Sequence, residues 1–193
     1  QDRRIVWNAG AAARDFYAYY PYRTTYDDLT AVPVTIAAEQ KGPLGGTGHL
    51  KRLVNLYAVC EGVKGPAESV SLPFGSVAAV VELRLAADRT LSEVRNITLR
   101  SADGATLAFE TGTLNLLNGE VTPGEQTATE INYAVEGPAA SSRTPASFFL
   151  AVNPVQAGRT LEVLVDYGDK HLSLGSAVVP EGGIPAGRLT VFS

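Results

Sequence analysis

Between Val77 and Leu85 one set of apolar residues takes every second position: Val77, Ala79, Val81, Leu83 and Leu85 alternate with Ala78, Val80, Glu82 and Arg84. A period of two is that of a β-strand with one face in a core. The other face turns polar towards the end of the run. The same period returns in Ile97 and Leu99 against Thr98 and Arg100, in Ile131, Tyr133 and Val135, in Phe148, Leu150 and Val152, and in Leu161, Val163 and Val165. Leu189, Val191 and Phe192 close the chain in a last extended run. Turn chemistry separates the runs. Ala102-Asp103-Gly104 predicts a hairpin into residues 106–110, Asn118-Gly119 another tight turn, and Gly168-Asp169 a turn into residues 172–174. Residues 123–127, 137–145 and 180–185 read as loops, the middle one mobile by composition. Short strands at this spacing, with no amphipathic helix of three turns, predict an all-β sandwich or barrel.

The first third is less regular. Residues 16–22 (FYAYYPY) hold four of the eight tyrosines. Aromatic rings favour a pleated surface, so Phe16, Ala18 and Tyr20 should share one face of a strand, with Tyr17 and Tyr19 on the other. Pro21 cannot donate to a ladder and should end the strand or lie at an edge. Residues 32–37 predict a short strand and 53–59 another. Residues 41–48 (KGPLGGTG) predict a loop, without the Gly-Lys-Ser/Thr ending of a phosphate cradle. Residues 62–67 (GVKGPA) read as a linker. They predict a boundary between an N-terminal β domain, 1–65, and a C-terminal β-sandwich, 66–193.

Few residues in the sequence carry the pattern of a chemical site. His49 and His171 are the two histidines, each predicted at the surface, and neither has a second ligand at zinc spacing. Cys60, the single cysteine, reads as a small buried hydrophobe, and no intrachain disulfide is possible. Asp166 and Asp169 flank a turn, where Asp is expected on conformational grounds. There is no nucleophile elbow and no calcium-loop pattern around Asp27-Asp28. The expectation is a non-enzymatic protein with no catalytic residues, metal or cofactor. A net charge of −4 with 19% charged residues argues against nucleic acid and against anionic lipid as partners. No run approaches the ~20 apolar residues of a membrane-spanning helix.

Several phrases together resemble the fimbrillin-like cell-surface proteins of bacteroidete bacteria. They are Trp7, Asp15 to Tyr22, Gln40, and Asn55 to Ala58; then Leu72 to Leu85, with Gly75-Ser76 where the family usually shows a His. Ile97 to Leu99, Gly112 to Leu116, Gly119, and the closing Pro185 to Phe192 complete the set. These are packing motifs and not chemistry. The resemblance implies a transthyretin-like, Greek-key β-sandwich, with two such domains, the first lacking its opening strands. It also implies a structural or adhesive subunit of a fimbria at the cell surface and outer membrane, exported as a lipoprotein precursor whose lipid lies in a missing N-terminal part. Its partners would be other fimbrial subunits or itself, with a host glycan or protein as a further class. Assembly would use strand exchange, for which Leu189, Val191 and Phe192 are the candidate strand, although the same residues could simply complete their own sheet. Arg3-Arg4 is a candidate cleavage site. The alternative is a carbohydrate-binding sandwich that stacks sugars on Tyr17, Tyr19, Tyr22 and Tyr26.

Overall fold

The computed structural model describes residues 13–22, 28–65, 69–85, 94–136 and 146–193. Within them the strands are β1 (Arg14–Tyr20), β2 (Val32–Ile36), β3 (Glu39–Pro43), β4 (Leu56–Val63), β5 (Gly75–Ser76), β6 (Ala79–Leu85), β7 (Val94–Ser101), β8 (Ala108–Leu114), β9 (Val121–Pro123), β10 (Thr127–Ala128), β11 (Glu130–Glu136), β12 (Ala146–Val152), β13 (Thr160–Tyr167), β14 (Lys170–Val178) and β15 (Leu189–Phe192). The only helical element described is a 3-10 turn at Leu50–Arg52.

The strands form four sheets. Five strands run in the order β14-β13-β7-β11-β3, and three in the order β12-β6-β15. A third sheet is β10-β8-β2, with β9 also on β8, and a fourth is β1-β4-β5. The alternating runs deliver the core as expected. Ile97, Leu99, Ile131, Tyr133, Phe148, Leu150 and Leu161 are all buried, in one cluster that also takes in Val32, Val34, Ile36 and Ile184. β2 and β3, upstream of residue 65, are hydrogen-bonded to β8 and β11, downstream of it. Pro33 costs β2 little because β2 is the outermost strand of its sheet among the described residues.

Four expectations need correction. Residues 41–48 are not all loop: Glu39–Pro43 is a strand, paired parallel to β11. Its inward residues are Gln40 and Gly42, so the alternation is invisible to hydrophobicity. Gly42 is there for space. A Cβ at that position would lie 2.6 Å from the His49 ring and closer still to the Tyr133 hydroxyl.

The turn at Ala102-Asp103-Gly104 does not join a hairpin. β7 and β8 lie in different sheets, and the corner is tied by Ser101 Oγ donating to Asp103 Oδ1 at 2.8 Å and by Thr160 N–H donating to Asp103 Oδ2 at 3.2 Å. The composition of 62–67 does not stop β4, which continues to Val63. His49 is 8% exposed rather than at the surface, because its Nε2 is held 2.8 Å from the Phe149 carbonyl oxygen. The 137–145 loop and Arg3-Arg4 lie outside the described residues.

Candidate functional site

The five-stranded and three-stranded sheets face each other, and their two sides differ. On one side β3 meets β12. Gln40, buried, donates from Nε2 to the carbonyls of Ala37 (2.9 Å) and Ala151 (2.6 Å) and accepts from Ala151 N–H (3.0 Å). Gly45 N–H donates to the Ser147 carbonyl at 2.8 Å. Tyr133 closes the same side from β11: its hydroxyl donates to the Pro43 carbonyl at 3.1 Å, and burial pushes its pKa up to about 12, with Glu136 adding a smaller push.

Next to this seam, Glu82 is 5% exposed. Its carboxylate accepts from Arg84 Nε (2.8 Å) and from the Ser147 hydroxyl (2.7 Å). These two bonds, Arg84 first, hold the carboxyl below its ordinary pKa. The face predicted to turn polar here thus carries an ion pair between a buried Glu82 and a half-exposed Arg84.

On the other side β14 and β15 do not meet. They are the outermost strands of their sheets among the described residues. Between them opens a cleft of about 170 Å³, lined by Leu85, Leu161, Val163, Leu174 and Phe192 among others. β14 is nine residues long and exposed along nearly all its length, with Leu174 at 50% and Val178 at 63%. A bulge opposite Val163 and Leu164 interrupts its ladder. Lys170 and His171, at its start, carry the only ionisable side chains on the strand, and His171 Nδ1 pairs with Asp166. Such an edge, long, exposed and without proline, offers unpaired main-chain groups to another strand.

The candidate assembly residues fall beside this cleft. Leu189, Val191 and Phe192 form β15, parallel to β6, with Val191 opposite Glu82 and Phe192 opposite Leu83. Phe192 packs on the core and lines the cleft, while Leu189 and Val191 are exposed.

The described candidate tyrosines, Tyr17, Tyr19 and Tyr22, differ in their surroundings. Tyr17 and Tyr19, opposite Val59 and Tyr57 on β4, pack against the core. The Tyr17 hydroxyl donates to Glu61 at 3.0 Å, which raises its pKa. Tyr22 is 80% exposed, and Tyr26 lies outside the described residues. β14 was not singled out by sequence reasoning. Its signal was Leu172 and Leu174 in a run without Pro, with charge only at its start.

Among the described residues no group of three His, Cys, Asp or Glu side chains converges as a metal site. No helix of these residues is long and apolar enough to cross a membrane.

Three comparisons bear on these surfaces. The family model described as Fimbrillin-like matches residues 1–178. The crystal structure of a candidate cell-adhesion protein from Bacteroides ovatus is similar in fold, with a TM-score of 0.56 at 20% identity, over 98% of this chain and 69% of that one. No curated protein matches.

Proposed function

The chain belongs to the fimbrillin-like family, and on that premise we propose that it is a structural, adhesive and non-enzymatic subunit of a fimbria, exported to the cell surface. We further propose that it joins other subunits, or copies of itself, by strand addition at the side where β14 and β15 leave the two sheets apart. The single observation that carries this reading is the cleft with its bare edges. An incoming strand gains main-chain hydrogen bonds from an edge, and side-chain pockets at alternate positions set its specificity. A cleft of about 170 Å³ takes one or two apolar side chains. The exposed Leu189 and Val191 have the right chemistry to serve as donors from a second copy.

The test is the size distribution of purified protein across concentration, with and without a peptide of residues 184–193. Expected are ladders that grow with concentration, and tight binding of the peptide to the full-length chain. A strict monomer that ignores the peptide would overturn strand exchange through this terminus. It would leave the family membership untouched.

A further inference from the structure

A second cleft, of about 310 Å³, shares no lining residue with the assembly cleft. Its walls come from β4 and β5 (Tyr57, Ser76), the end of the β8–β9 loop and β9 (Gly119, Pro123), and the loop after β12 (Asn153, Pro154). We propose that this cleft is a binding site for one neutral sugar ring, and so gives the adhesive subunit a glycan ligand; the biological role rests on the surface-subunit reading.

No charged side chain lines the cleft among the described residues, which disfavours phosphates, acidic sugars and charged peptides. Three polar groups do. Ser76 Oγ is buried and has no hydrogen-bond partner. A buried hydroxyl left so is costly unless something supplies the partner.

The Tyr57 hydroxyl stands at the same cleft. Its position is set by Gly119. A Cβ at Gly119 would lie 2.5 Å from that hydroxyl, and the backbone there has φ +74°. Glycine therefore holds open the space the phenol occupies.

Asn153 Nδ2 donates to the Thr106 carbonyl at 3.1 Å, which fixes the amide and leaves Oδ1 as an acceptor. Two hydroxyls and an amide oxygen recognise ligand hydroxyls, and the Tyr57 ring with Pro123 and Pro154 offers apolar faces for the C–H side of a pyranose. The volume is at the small end of ligand sites, which run from about 300 Å³ upwards, so it fits a single ring rather than an extended chain.

The test screens the full-length chain on an array of neutral and acidic glycans. Ligand-observed NMR with galactose, glucose, mannose, fucose and N-acetylhexosamines follows. Expected is millimolar binding of a neutral sugar that weakens about five-fold in Tyr57→Phe, the loss of one hydrogen bond. Ala186→Leu, a change at an exposed position on the rim of the cleft, should abolish it while leaving the fold intact.

Silence across the array and in NMR overturns the proposal. So does binding of acidic glycans alone, or sugar binding that Ala186→Leu leaves unchanged. A protein that polymerises yet binds no sugar loses this site and keeps the assembly reading. A monomer that binds sugar through Tyr57 does the reverse.

Discussion

The two sides of the main sandwich are built from the same sheets and solve opposite problems. Where β3 meets β12 the closure is polar: Gln40 alone makes three hydrogen bonds to backbone groups. Where β14 and β15 part, the cleft is lined mostly by apolar side chains, and no strand pairing among the described residues bridges it. A buried polar seam accepts only one register, since each unmet group is penalised. An apolar edge accepts any strand with alternate apolar residues. The closed side therefore specifies the subunit, and the open side is free to specify its neighbour.

The comparison breaks most sharply at Gln40. Gln40→Leu leaves the Ala151 N–H and carbonyl without their partners. It should cost about 3 kcal/mol, at about 1–3 kcal/mol per unmet buried group, read as a lower midpoint in urea unfolding. An unchanged midpoint would mean the seam does not hold the sheets together. Gly42→Ala comes next. Its Cβ meets Tyr133 and His49, and such overpacking costs about 1–3 kcal/mol.

The closed side should also respond to pH at both ends. Glu82 has a folded pKa below its ordinary 4.5. Its contribution is complete above that value and is lost as pH falls through the lowered folded pKa. Glu82→Gln should flatten the acid limb of the stability curve.

Tyr133 is raised, so its sign is opposite. Its contribution is complete below pH 10 and is lost as pH rises towards about 12. Tyr133→Phe should flatten the alkaline limb. If both limbs keep their slopes in the two variants, other groups control the titration.

The smallest effect on stability belongs to the open side. Leu174→Lys, at a half-exposed edge position, should shift unfolding by no more than about 0.5 kcal/mol. It should nevertheless suppress the concentration-dependent association measured by light scattering. A variant that associates like the parent would remove β14 from the assembly surface.

Part of this contrast was legible in the residues. Phe148, Leu150 and Val152 announce β12, and Leu189 and Val191 announce β15, because an apolar period of two is a local property. The β13–β14 hairpin was legible for the same reason: Gly168-Asp169 is a two-residue loop, with Tyr167 facing Lys170. β3 was not legible, because its inward residues are a glutamine and a glycine. The burial of His49 was also hidden. The carbonyl that holds it belongs to Phe149, 100 residues away. The edge of β14 left a trace in Leu172 and Leu174, but no sequence pattern says that a strand will be outermost.

By itself, then, the sequence determined the all-β class, the strands with apolar alternation, the tight turns and the family, since each follows from neighbours along the chain. The tertiary structure alone decided the separation of β7 from β8, the parallel pairings of β3 with β11 and of β15 with β6, and which side closes and which stays open. Those outcomes depend on partners such as Gln40 and Ala151, 111 residues apart. Satisfaction of buried polar groups selects among such pairings only once distant segments have met.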